Sequence, residues 1–217
     1  MAGLSSPIIG ILGTMGALPT TDRGRITRQR IVAAATEVVA AKGALGASLD
    51  EVGALAPASR SQLYHYFEDK ADLLRAVAEA TNDNVLDAQR PLFAGLDTWA
   101  GLTRWADAMV EYQRQRGGRG GCPIANLVGQ LGERDDDLRI VLASGFDRWE
   151  AQIRACLAAM VTSGELQSDI DVDWLAASTL ASLQGGLVLT QARRDPQSLR
   201  QALDGALALI HTFRLTS

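Results

Sequence analysis

Arg60, Ser61, Gln62, Tyr64 and His65 fall within six residues and surround a single leucine, Leu63. Their side chains carry donors and acceptors suited to a polyanion. If the stretch is a short helix, Leu63 and Phe67 lie four apart on one face and the polar groups project outward. Arg60 and Gln62 can each place two hydrogen bonds on the edge of a base. Ser61, Tyr64 and His65 can donate to phosphate oxygens, which fixes register but reads no sequence. Lys70 would add a charge and a helix N-terminus beside a phosphate. A small helical hairpin with a polar outer face fits the same pattern. A second group is Cys122, set between GGRGG at 117–121 and Pro123. A thiol at a helix N-terminus, with Arg116 and Arg119 nearby, is expected to have a lowered pKa and a reactive thiolate. The bland reading is a small buried residue, and Cys156 reads as plain core. The glycine loop lacks the preceding strand of a phosphate cradle.

The elements that would position these groups are helical. Ile31, Ala35, Val38, Val39 and Lys42 keep helical spacing until Gly43 stops them. Ser48-Leu-Asp-Glu51 and Ser59-Arg-Ser-Gln62 each fit a capping box, and Asp69-Lys-Ala-Asp72 is a looser third start. Three starts so close together leave room for two short helices and then a longer one. That longer helix is expected to reach Gln89 and stop before Pro91. Others are expected over about 97–116, from about Pro123, over 136–163, and from Asp171 to about Arg194. Asp195-Pro196 opens the last, with proline in the first turn. Runs of β-branched residues with period two are absent, so the fold class is all-α.

Hydrophobic residues make up 47% of the 217, enough for a core. No stretch reaches the ~18 consecutive apolar residues of a membrane span, so no membrane partner is expected. Residues 8–18 (IIGILGTMGAL) are apolar, but no Lys or Arg precedes them, as a secretory leader would require. Residues 1–22 are read as a mobile N-terminal extension. Two cysteines make no disulfide framework, and a cytoplasmic setting is the simpler one. The formal net charge is −4, with eight basic and eight acidic residues over 22–80. Four arginines within 23–30 make a local basic patch that suits a phosphate backbone. His65 and His211 are the only histidines, and no Gly-x-Ser-x-Gly elbow, metal-ligand cluster or nucleotide loop is present. The expectation is therefore a non-enzyme with no cofactor and no metal.

Over about residues 25–77 the chain resembles the TetR family of transcriptional repressors. The resemblance rests on Thr27-Arg-Gln-Arg-Ile31, Ala34-Ala35, Lys42-Gly43, Ser48-Leu-Asp-Glu-Val52, and Ser59-Arg-Ser-Gln-Leu-Tyr-His-Tyr-Phe67 with Asp69-Lys70 and Leu73-Leu74. It implies an N-terminal three-helix helix-turn-helix domain at 23–72. A larger C-terminal helical domain, at 73–217, would bind a ligand and dimerise. It also implies DNA contacts from Arg28 and Ser48 to phosphate, from Arg60, Ser61 and Gln62 to base edges, and from Tyr64, His65 and Lys70 to phosphate. Two positions depart from the family pattern. Gly53 stands where alanine is usual, and Pro57 stands where the turn usually has a glycine able to take positive φ. Proline fixes φ near −65° and holds the preceding Ala56 extended, so the left-handed position would shift to Ala56 or Ala58, or the helix would end earlier.

In the C-terminal region Trp99, Trp105, Met109, Tyr112, Phe146 and Trp149 could line an apolar pocket, with Asn126 and Gln184 orienting a small hydrophobic effector. Some relatives in the family sense oxidants or electrophiles through a cysteine in this region, which makes Cys122 a candidate sensor. The last two helices, over about 171–214, carry Ala176, Ala177, Leu180, Leu183, Leu187, Leu203, Ala206, Leu207 and Ile210. The family would use them as a four-helix homodimer interface, because a palindromic operator needs a twofold reader.

Overall fold

The computed structural model describes Pro19 and residues 21–215. Among these residues the chain forms α1 (Asp22–Gly46), α2 (Leu49–Leu55), α3 (Arg60–Tyr66), α4 (Lys70–Phe93), α5 (Trp99–Gln115), α6 (Pro123–Leu131), α7 (Asp136–Thr162), α8 (Val172–Arg193) and α9 (Gln197–His211). The only β feature among them is an isolated bridge between Leu166 and Arg214. The fold is all-α, with an N-terminal helix-turn-helix unit and a C-terminal helical unit. The reading of 1–22 as an extension falls outside the described residues, except for Pro19, Thr21 and Asp22. The Thr21 hydroxyl accepts from the Gly24 N–H at 3.1 Å, which fixes the start of α1.

The N-terminal unit comprises residues up to Lys42 and 46–77. Ile31, Ala34, Ala35, Val38 and Val39 form the buried stripe of α1. The helix breaks at Gly43 (φ 78°, ψ 160°). Both capping boxes form, so α2 and α3 each begin with satisfied N–H groups. Asp69 Oδ1 accepts from the Asp72 N–H at 2.8 Å and closes the third start.

The C-terminal unit comprises 43–45 and 78–215 of the described chain. Its α8 packs on α7 and α9, α5 packs on α9, and α6 packs on α7. Trp105, Trp149, Ile153, Leu157, Leu183, Leu203 and Ile210 are almost wholly buried there. Two expectations change. α4 continues through Pro91 to Phe93, because a proline so near the C-terminus forfeits little of the helical ladder. Ala176, Leu180, Leu183, Leu187, Leu203, Ala206, Leu207 and Ile210 are buried within the single chain. Of the apolar residues named on these two helices, only Ala177 is exposed.

Candidate functional site

The polar face of α3 follows from two anchors. Leu63 and Phe67 are each 3% exposed, so the opposite face must look outward. Arg60, Ser61, Tyr64 and His65 are exposed on it, and the His65 ring meets Tyr66 edge-on at 4.9 Å. The other four residues with a phosphate or base assignment are also engaged in holding the unit together. Gln62 Oε1 accepts from the Ser59 N–H at 2.9 Å, while its own N–H donates to Ser59 Oγ at 3.2 Å. Ser48 Oγ accepts from the Glu51 N–H at 3.3 Å and donates to Glu51 Oε2 at 2.9 Å. Glu51 is further paired with Lys42, whose ammonium holds its carboxyl below the usual carboxylate range. Lys70 Nζ donates to the Ala47 carbonyl at 2.7 Å, bracing the segment that enters α2. The Arg28 guanidinium lies 5.1 Å over the Phe67 ring, a cation–π contact that ties α1 to the end of α3.

The turn between α2 and α3 keeps its positive φ at Pro57 itself, at 24°. That is far from the value the pyrrolidine ring favours, so the turn is strained there. Ala56 is neither left-handed nor extended (φ −85°, ψ 7°), which departs from the expectation for a residue before proline. The Ala58 N–H then donates to the Gly53 carbonyl at 3.0 Å. A Cβ on residue 53 would stand 2.9 Å from the Ala58 carbonyl oxygen. The two departures from the family pattern are thus parts of one turn: its path brings the backbone at 58 against α2, and glycine makes room.

In the C-terminal unit a cavity of about 380 Å³ opens among α4, α5, the start of α6, α7 and α8. Met109, Tyr112, Trp149 and Cys122 line it. Trp105, Asn126, Phe146 and Gln184 lie outside its wall. Trp105 is buried and its Nε1–H donates to Gln89 Oε1 at 3.3 Å. Asn126 Nδ2 donates to the Gly120 carbonyl at 2.7 Å and holds the glycine loop. Phe146 is half-buried on α7. Gln184 lies beside Cys122, where its amide favours the thiolate. Sequence reasoning missed the α4 wall, including Val85, Ala88, Gln89 and Leu92, although their spacing is that of one helical face. It also missed Gln113. Gln113 is 1% exposed and its Oε1 lacks a partner, as does Trp149 Nε1 at 2% exposure. A second depression of about 350 Å³ is lined by Asp87, Arg90 and Arg148 and is charged.

The glycine loop delivers Cys122 to the cavity. Gly117, Gly118, Gly120 and Gly121 all take positive φ, between 52° and 88°, which side-chain-bearing residues rarely adopt. Cys122 caps α6 at 4% exposure. Burial pushes its thiol pKa up, and the N–H groups of Ala125 and Ile124, with the Gln184 amide, offset only part of that. Arg116 turns away, donating from Nε to the Arg119 carbonyl at 3.3 Å and stacking 5.4 Å over Tyr112. The expected lowering of the thiol pKa is therefore reversed, because burial outweighs the helix terminus. Burial and the charge of Asp97 push Cys156 up to about 11.

A third surface lies on α8 and α9. Trp174, Ala177, Ala181, Gly185, Val188, Leu189 and Ala192 are exposed on α8, and Gly205 and Ala208 on α9. α8 is long and apolar enough to cross a membrane by length and composition, but its other face is core.

Known proteins share both units. Residues 31–77 match the family of bacterial regulatory proteins, tetR family, and residues 99–206 match the tetracyclin repressor-like C-terminal domain. The chain is 28% identical to the transcriptional regulator AcuR of Cereibacter sphaeroides over 177 residues, covering 80% of each. It is 26% identical to the HTH-type transcriptional repressor DhaR of Mycobacterium sp. (strain GP1), covering 81% of this chain and 88% of that one. Its fold is that of the TetR-family regulator from Cytophaga hutchinsonii, with a TM-score of 0.77, 18% identity, and 92% and 100% of the two chains covered. With both halves matched in their proper order, the chain belongs to the TetR family of bacterial transcriptional regulators.

Proposed function

We propose that the protein is a homodimeric repressor, released from a palindromic operator by a small apolar effector. The observation that carries the reading is the exposed face of Arg60, Ser61, Tyr64 and His65, held out by the buried Leu63 and Phe67. Arg60, Ser61 and Gln62 read base edges; Tyr64 and His65, with Arg28, Ser48 and Lys70, meet phosphates. Arg28, Ser48 and Lys70 also hold the unit together, so phosphate contacts there share side chains with local structure. The exposed stripe on α8 and α9 supports the dimer, since alanine and glycine let a second copy approach closely. The cavity supports the effector, which would bias the dimer between two arrangements with different affinity for DNA. DhaR is by name a repressor. A regulator of this family acts on DNA in the cytoplasm and without catalysis.

A gel-shift assay with the DNA flanking the protein's own gene tests the reading. We expect specific binding that weakens steeply as salt rises. Absence of specific binding at moderate salt would sink it.

A second reading makes Cys122 a sensor of oxidants or electrophiles, favoured by its place in the cavity wall. Its raised pKa keeps it protonated at neutral pH, so reaction with iodoacetamide should be slow there and rise as pH climbs past the ordinary thiol range. If Cys122→Ser still leaves DNA on treatment with an electrophile, the sensor idea is removed.

A further inference from the structure

The glycine loop carries other chemistry besides Cys122. Arg116 caps α5, Arg119 stands in the loop, and Arg193 and Arg194 end α8; all four are exposed. The glycines bring the two stretches together. A Cβ on Gly118 would stand 3.0 Å from the Arg194 carbonyl carbon, and one on Gly121 would overlap the Gln191 side chain. Arg194 Nη1 also donates to the Gly118 carbonyl at 3.5 Å. None of the four guanidiniums is ion-paired among the described residues, whereas Arg114 is matched with Glu111, Arg148 with Asp83 and Arg154 with Asp173. The only carboxylate within 116–121 and 193–198 is Asp195, whose Oδ1 accepts from the Gln197 N–H at 3.0 Å, at the start of α9. The ends of α5 and α8 favour cations, which accounts for Arg116 and Arg194 at the caps. Arg119 lies beyond both helices, and its guanidinium has no partner among the described residues. Four such charges on a chain of formal net charge −4 raise a local positive potential.

We infer that Arg116, Arg119, Arg193 and Arg194 form a second phosphate-contacting surface, on the C-terminal unit, that takes the backbone of double-stranded DNA. This rests on the DNA-binding reading above and extends it beyond the helix-turn-helix residues. A guanidinium offers five donors in a planar fork that matches phosphate oxygens two at a time. Few of these donors are spent locally: Arg116 Nε on the Arg119 carbonyl, Arg193 Nη1 on Ser198 Oγ at 3.4 Å, and Arg194 Nη1 on the Gly118 carbonyl. None of those acceptors is charged, so a phosphate meets the arginines without displacing a carboxylate. The loop also lies at the end of its unit where residues 43–45 join it. Asn126 Nδ2 holds the Gly120 carbonyl at 2.7 Å, Gln130 Nε2 holds the Asn126 carbonyl at 3.1 Å, and Gln130 Oε1 accepts from the Ala44 N–H at 2.8 Å. One short helix, α6, thus spans from the arginine loop to the point where α1 enters the unit. Contacts to phosphate read no sequence; they add affinity and salt dependence.

Fluorescence anisotropy of the full chain over a series of salt concentrations tests this with two duplexes of one length: the DNA flanking the protein's own gene and an unrelated sequence. The combined variant Arg116→Gln, Arg119→Gln, Arg193→Gln and Arg194→Gln should bind both about tenfold more weakly at low salt. Its slope of log affinity against log salt should be shallower by about 2 or more. Removing the same charge from paired arginines, by Arg90→Gln, Arg139→Gln, Arg148→Gln and Arg154→Gln, should leave the slope unchanged within about 0.5. Equal losses in the two combined variants would overturn the patch, because net charge alone would explain them. An unchanged slope in the first would overturn it outright. Arg119→Gln alone guards against a misfolded variant: its slope should be shallower by about 1 at an unchanged melting temperature. Equal wild-type binding to the two duplexes would sink the operator reading, while the variant's slope on the unrelated duplex still decides the patch. A loss confined to an RNA duplex of the same sequence would overturn DNA as the partner.

Discussion

Polar side chains behave in opposite ways in the two units. Around α2 and α3 they are engaged locally: Ser48 and Gln62 complete capping boxes, Lys70 holds the Ala47 carbonyl, and Arg28 sits on Phe67. Around the cavity, Gln113 and Trp149 each keep a buried polar atom with no protein partner. The first region holds its exposed face by contacts within the unit. The second holds unmet hydrogen-bonding capacity. Removing a polar group should therefore weaken the first region and leave the second unharmed or better packed.

The sharpest test is Lys70→Met. It leaves the buried Ala47 carbonyl without its charged donor, so stability measured by urea unfolding should fall by about 2 kcal/mol. Unchanged stability with weaker DNA binding would make Lys70 a phosphate contact alone and blur the contrast. Gln62→Glu should separate two roles of one side chain. A glutamate keeps the carboxyl oxygen that caps Ser59 but loses the Nε2 donor. Operator affinity should drop about tenfold, with thermal stability unchanged within roughly 0.5 kcal/mol. A matching loss of stability would show that the cap needs the amide.

The turn supplies a smaller pair of effects. Pro57→Gly should stabilise by about 1 kcal/mol, as relief of backbone strain exceeds the added freedom of the unfolded chain. Gly53→Ala should destabilise by a similar amount, through its contact with the Ala58 oxygen. In the double variant the alanine should be less harmful than alone; strict additivity would mean the two positions are not one turn. Smallest is Gln113→Leu, which removes an unpaired buried acceptor and should raise the melting point by the equivalent of roughly 0.5–1 kcal/mol. A fall instead would place Gln113 among the structural residues.

The same contrast explains what could be read from the sequence. The helix starts at Ser48, Ser59, Asp69 and Asp171 rest on residues three apart, and such spacing is visible in the string. The anchors Leu63 and Phe67 are likewise four apart. The cavity is built by residues from Asn84 to Leu187 on five helices, and no short window contains it. Cys122 shows the limit clearly. Its neighbours in sequence argue for a lowered pKa, but the helices that bury it come from far along the chain and decide the direction. Pro57 shows another limit. A residue's preference is local, whereas the path of the turn is set by the helices on either side of it. On α8 and α9 the leucines singled out from the sequence face inward, while Ala177, named beside them, stands in an outward stripe built mainly of alanine and glycine.

If the α8 and α9 stripe pairs two copies as proposed, it ties stability to the amount of protein present. Trp174, Val188 and Leu189 stand 51%, 55% and 42% exposed in the single chain, and pairing withdraws such surface from water. Mass action then favours the folded pair as protein accumulates. A scarce copy is both a poor reader of a twofold site and a less durable molecule, so melting temperature and operator occupancy should climb together with concentration.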